Sequence, residues 1–158
     1  MLKIVLCLVL MAAAMFGQTA FYVGGGPSGT MTYLAGNLTF GICTPSAGTC
    51  SLTSLEARGS GDPAKPREFV YSTQTGIKQR LAQVIASKGT VELFTLAQGG
   101  AVVTPTATSG IVGMGGGVLF KPAKWPGWSI SVPVRAVYAP TLSGWEPWAS
   151  VHVGYTFR

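Results

Sequence analysis

His152 is the single histidine in this chain of 158 residues, so it is the first place to look for acid–base chemistry near neutral pH. A catalytic histidine needs a nucleophile within hydrogen-bond reach and an acidic group that orients the ring. Ser129 and Ser150 suit the first role by position, and Glu92 is the one candidate for the second. These residues lie on separate segments, and a lone histidine in a polar interior is usually a hydrogen-bonded filler, so no catalytic residue is expected. GGG at 24–26 and GMGGG at 113–117 have the glycine density of a phosphate-cradling loop. Neither opens a helix after a strand with a following Lys-Ser/Thr, which is what such a loop requires. Cys43 and Cys50 with one distant histidine fall short of a four-ligand zinc set. No metal and no cofactor is therefore expected. Three cations remain to be placed, Lys78, Arg80 and Arg135.

The elements that must position these residues alternate with period two, the mark of a strand with unlike faces. WSISVPVRAVY, 128–138, sets Trp128, Ile130, Val132, Val134, Ala136 and Tyr138 against Ser129, Ser131, Pro133, Arg135 and Val137. Proline cannot donate to a sheet ladder, so a local bulge is expected at Pro133. FVYSTQTGIKQRLAQVI, 69–85, separates Phe69, Tyr71, Ile77, Leu81 and Ile85 from Ser72, Gln74, Gly76, Lys78 and Arg80. In SGIVGMGGGVLF, Gly113, Gly115 and Gly117 share one side, a thin face against which bulky groups from across a narrow lumen can sit. TVELFTLAQGGAVV alternates poorly, since Glu92 and Gln98 share a face with Phe94 and Leu96. Eight strands are expected, near 20–26, 31–42, 49–58, 67–84, 90–102, 108–121, 127–139 and 145–157. A second count lets FYVGGG extend the next strand and breaks the long fourth segment at Thr75-Gly76.

One face of these strands is almost wholly apolar, while the other is mostly Gly, Ser, Thr, Asn and Gln and carries Lys78, Arg80, Arg135 and His152. A soluble antiparallel sandwich usually shows a water-facing side rich in Lys and Glu. Here the chain has 11 Lys and Arg, 5 Asp and Glu, and a net charge of +6, few charges for a surface that faces only water. An inverted arrangement fits better, with a narrow polar lumen inside and an apolar band against lipid. In hydrocarbon every backbone donor and acceptor must be paired, which forces the sheet to close. Trp125 and Trp128 bracket one turn, and Trp145 and Trp148 the next loop, so the four are expected as aromatic belts at opposite membrane interfaces.

Residues 1–20 read as a cleavable signal peptide, with Lys3 followed by an apolar run at 4–16 and a small or polar close. Cleavage is placed after Ala20, with Gly17 as the alternative, and residues 21–158 form one domain. In an exported chain Cys43 and Cys50, separated by TPSAGT, are expected to form a disulfide across a turn. Export and the lack of a basic-aromatic stripe leave no place for nucleic acid.

The leader, the start FYVGGG, the region GMGGGVLF and the terminal VHVGYTF together resemble small bacterial outer-membrane β-barrels, the family of outer membrane protein A-like transmembrane domains and opacity proteins. The resemblance spans the whole segment after the leader, on motifs that are compositional. It implies an all-β, eight-stranded antiparallel up-and-down barrel, both termini in the periplasm, and surface loops at 27–30, 59–66, 103–107 and 139–144. In that family the barrel-assembly machinery reads a last strand of alternating apolar residues ending on an aromatic. Val151, Val153, Tyr155 and Phe157 match this sorting signal, and Arg158 stands one residue past its usual end. The expected function is non-enzymatic, structural or surface-interacting, for a monomer whose partners are outer-membrane lipid and the assembly machinery. The alternatives are a narrow channel with a basic lumen, a soluble secreted β-sandwich and, remotely, a lipid-modifying barrel enzyme that uses His152.

Overall fold

Alternation in the sequence becomes strand through nearly all of the computed structural model, which describes residues 19–29, 34–59, 69–142 and 144–157. Residues 1–18 of the expected leader, the connections 30–33 and 60–68, and Arg158 lie outside the described residues. In chain order the strands are β1 (Ala20–Gly29), β2 (Leu34–Thr44), β3 (Thr49–Gly59), β4 (Phe69–Ala86), β5 (Gly89–Val103), β6 (Thr108–Pro122), β7 (Trp128–Ala139), β8 (Gly144–Ser150) and β9 (His152–Phe157). A single turn of 3-10 helix, Pro140–Leu142, follows β7.

Every neighbouring pair is antiparallel, and β1 pairs with β2 on one side and with β8 and β9 on the other. The sheet therefore closes on itself and has no free edge. The two-sheet sandwich that alternation alone left open is not formed. β8 and β9 are two halves of one barrel strand interrupted at Val151, so eight strands go round. β4 runs unbroken through Thr75 and Gly76, which rules out the second strand count.

The interruption at Val151 has two causes that converge from opposite sides. β7 pairs with β8 as far as Val134↔Ala149 and resumes with β9 at Ser131↔His152, in the same register. Pro133 lies in the gap. Its ladder to β6 continues through Gly117↔Pro133, so the missing N–H is felt on the β8/β9 side. The expected bulge is absent: no residue is inserted, and only the hydrogen bonding lapses. On the other flank β1 meets β9 at Gly25↔Val153 and β8 at Ser28↔Ser150, again in one register. Pro27 lies between these pairs, and its carbonyl accepts the Val151 N–H at 2.9 Å. Because Pro27 is carried inside a strand, β1 reaches Gly29 rather than ending near residue 26.

A true bulge occurs in β4, where the pairing with β5 shifts between Arg80 and Ala82 and leaves Leu81 as the extra residue. Its position follows from the neighbouring hairpin. β3 stops pairing with β4 at Thr49↔Gln79. Beyond that point the β2–β3 turn takes over: the Arg80 N–H donates to the Gly48 carbonyl at 2.8 Å, and the Gln79 amide donates to the Ala47 carbonyl at 3.2 Å. Gly48 has φ +67°, a left-handed conformation that glycine adopts without a steric penalty.

The β2–β3, β4–β5 and β6–β7 turns lie at one end of the barrel, together with the start of β1 and the end of β9 (Phe21↔Phe157). The opposite end carries the connections after β1, β3, β5 and β7. Outward positions hold Phe21, Leu38, Phe40, Ile77, Leu93, Met114, Ile130, Val134 and Val153, all substantially exposed. Glu56, Glu92, Arg135 and His152 are buried on the inward set. Along β7 this alternation is perfect over twelve residues. Gly115 and Gly117 on β6 are needed for space. A Cβ at Gly115 would meet the Val134 carbonyl oxygen at 2.0 Å, and one at Gly117 the Val132 carbonyl oxygen at 2.2 Å.

Candidate functional site in the barrel lumen

The lumen is layered along its axis. Toward the end with the longer connections, Val70, Val102, Ile111, Val137, Ala139 and Trp148 pack into an apolar plug. Toward the turn end, Tyr22, Cys43, Cys50, Leu52, Phe94, Leu96 and Leu119 make a second apolar layer. Between them the interior is polar and centred on Arg135. One guanidinium nitrogen donates to Gln98 Oε1 at 2.8 Å and reaches Gln74 Oε1 at 3.5 Å. The other lies 3.4 Å from Glu56 Oε2, and both side chains are 2% exposed. The second carboxylate oxygen of Glu56 accepts from the Ser28 hydroxyl. Gln98 donates to Ser54 at 3.3 Å, and Ser54 shares a 3.0 Å contact with Thr39. The Arg135 guanidinium also stacks 5.5 Å from the Trp148 ring centroid.

This arrangement follows from the alternation. A charge in a strand whose outer face is apolar must point inward, where it must be paired and hydrogen-bonded. Six strands contribute to one network because eight strands leave an interior about wide enough for side chains to meet across it. The cavity left within this layered interior, bordered by Arg135, His152, Tyr22 and Lys78, measures about 30 Å³.

The four sequence-predicted lumen residues all take inward positions, but they do not form one group. Arg135 sits at the centre. His152 is buried nearby, with no hydrogen-bond partner for Nε2 among the described residues. Lys78 and Arg80 lie toward the turn end. There Glu92 accepts from Lys121 at 2.7 Å and stands 3.6 Å from Arg80. Lys78 is held between the faces of Phe94 (5.3 Å to the centroid) and Tyr22 (5.8 Å). Glu92 is thus engaged by cations at the mouth and does not orient His152. Among the described residues no group of three His, Cys, Asp or Glu could hold a metal ion. Cys43 and Cys50 stand directly opposite each other and are disulfide-bonded.

The tryptophans divide differently from the expectation. Trp125, Trp128 and Trp145 are 63%, 48% and 60% exposed, with Trp128 edge-on to Tyr155 and Trp145 beside Tyr138, each at 5.4 Å. Trp148 is no interface residue. It is 2% exposed inside the lumen, and its indole N–H donates to Glu146 at 3.1 Å. The reason is parity: Trp148 shares its strand face with Ser150 and His152, not with Ala149 and Val151. Of the terminal aromatic pattern, Val151, Val153 and Phe157 face outward, and Tyr155 is half-buried against Trp128 and Phe157.

Sequence reasoning singled out none of Glu56, Gln74 and Gln98, the partners of Arg135, although Gln74 stood on the polar face beside Lys78 and Arg80. Glu56 had a signal of its own, as an acid on a strand with an otherwise uncharged outer face. Gln98 had one too, in the apparent mismatch of Glu92 and Gln98 with Phe94 and Leu96; all four point inward.

No protein-family model and no curated protein sequence matches the chain. Solved structures do match in shape. The outer membrane protein Ail of Yersinia pestis aligns with TM-score 0.54 at 14% identity, over 89% of this chain and 100% of that one. A major outer membrane protein of Thermus thermophilus aligns with TM-score 0.52 at 12% identity, over 89% and 100%. Neisserial surface protein A aligns with TM-score 0.51 at 11% identity, over 88% and 94%. At such identities the likeness is one of fold, and the chain has the closed eight-stranded antiparallel fold of small bacterial outer-membrane β-barrels.

Proposed function

We propose that the chain is an integral outer-membrane β-barrel with a structural or surface-interaction role and no catalytic centre. The observation that carries this reading is the inverted distribution of side chains. Uncharged apolar residues ring the outside of a closed sheet, while Glu56, Lys78, Glu92, Arg135 and His152 are turned inward. In water such a surface would be an aggregation hazard; against hydrocarbon it is the stable arrangement. The outward aromatics Trp125 and Trp128 at the turn end, and Trp145 at the other, suit the two membrane interfaces. Outer-membrane lipid is then the partner of the wall. The barrel-assembly machinery would read Val151, Val153, Tyr155 and Phe157 during insertion, and the protein would work as a monomer.

A filled lumen argues against conduction, since two apolar layers flank the Arg135 network. The lack of an acid beside His152 among the described residues argues against hydrolysis or acyl transfer. The test is expression with the leader in a diderm bacterium, followed by fractionation. Recovery in the outer membrane and different gel mobility of boiled and unboiled samples are expected, with no conductance above background in a planar bilayer. Recovery in the soluble periplasmic fraction would sink the membrane reading, and steady single-channel currents would sink the plugged lumen.

A further inference from the structure

The turn end of the barrel is not filled: a cavity of about 550 Å³ opens there, above the apolar layer that closes the rest of the lumen. We propose that this cavity binds a phosphomonoester that carries an apolar or aromatic group. The charge in the cavity comes from four side chains on three adjacent strands. Lys78 and Arg80 project from β4, Glu92 from β5 and Lys121 from β6, and all four line the cavity. Three cations face one carboxylate, which Lys121 and Arg80 already share. Lys78 is left over. Among the described residues its ammonium is in contact with no carboxylate, feels Glu92 only at longer range, and rests on the rings of Tyr22 and Phe94.

A half-buried cation without a carboxylate in contact is incompletely compensated, and an anion entering the cavity would supply the missing charge. The surplus of two positive charges matches the charge of about −1.5 to −2 on a phosphomonoester at neutral pH better than that of a carboxylate. The walls set the remaining chemistry. Tyr22 and Leu119, both turned inward, line the cavity beside the charged side chains, so the phosphoryl group can lie against Lys78 while an apolar substituent packs on the Tyr22 ring and Leu119. The volume lies within the range of about 300–1,000 Å³ usual for small-ligand sites. Because Tyr22, Leu52, Phe94 and Leu96 close the floor, the cavity is a receptor site and not the entrance to a passage.

The test is titration of the oxidised, folded barrel in phosphatidylcholine nanodiscs with 1-naphthyl phosphate, followed by calorimetry. Saturable binding is expected, about tenfold or more tighter than that of inorganic phosphate or 1-naphthol. Lys78→Met is expected to weaken it by about tenfold or more. Lys88→Met, at the exposed β4–β5 turn outside the cavity, is expected to leave it unchanged. Should Lys78→Met lose the heat-modifiable mobility of the folded barrel, Lys121→Gln takes its place with the same expectation. Phosphatidic acid added to the nanodisc separates two sources of the ligand: competition points to a lipid headgroup, its absence to a soluble ester. The proposal is overturned if 1-naphthyl phosphate does not saturate, if inorganic phosphate binds as tightly, or if Lys88→Met weakens binding as much as Lys78→Met.

Discussion

Arg135 is bound to acceptors on several strands at once, and its ion pair with Glu56 is only one of its contacts. For a pair this deeply buried, desolvation takes back much of the Coulombic attraction. The pair matters most when it is broken, because one partner then stays behind as a lone buried charge. Arg135→Met alone is therefore expected to destabilise the folded barrel by about 3–5 kcal/mol. The double variant Arg135→Met with Glu56→Leu is expected to recover most of that loss. Urea unfolding in detergent or vesicles reads these values together with that of Glu56→Leu alone, and a double-variant loss equal to the sum of the two single losses would show that the two residues are not coupled. Arg135 was legible in the sequence as an inward cation. Its partners were not, since Glu56, Gln74 and Gln98 meet it only through pairings across β3, β4, β5 and β6.

Among the strands, β7 shows most plainly how much a two-residue period can specify. Each of its twelve residues is exposed or buried in strict turn, and the outward set read from the sequence is the outward set of the fold. If that face lies against hydrocarbon, Val134→Arg, near the middle of the wall, is expected to cost about 2–4 kcal/mol. Val103→Arg, at the last residue of β5, is expected to cost about 0–1 kcal/mol. Folding titrations into lipid vesicles measure both, and equal costs at the two depths would count against a bilayer around the sheet. The same parity rule placed Trp148 inside, where the pairing of tryptophans around a loop had suggested an interface. Parity is set by the backbone and holds along the whole strand, whereas clustering near a loop says only which end a residue occupies. The extension of β1 through Pro27 was hidden for a related reason. Pro-Ser-Gly has the composition of a turn, and only the Val151 N–H beside it turns the proline carbonyl into a ladder acceptor.

Across the whole molecule, the closed sheet and its strand count were legible because most strands repeat the same local rule. The cation-rich mouth was not, because Lys78, Glu92 and Lys121 come together only through register over more than forty residues. The lapse at Val151 is similar in kind. Pro27 and Pro133 are far apart in sequence, and closure brings them to the two flanks of one strand. The register continues past both prolines, so the lapse costs hydrogen bonds and leaves side-chain placement intact. Amide hydrogens at residues 150–152 are accordingly expected to exchange with deuterium sooner than those of mid-β6, as followed by mass spectrometry on the folded barrel. Equal protection in the two segments would contradict this. In mechanical terms the wall has one weak point rather than a seam, and a load that prised the cylinder apart would be felt first where β1 and β7 flank Val151.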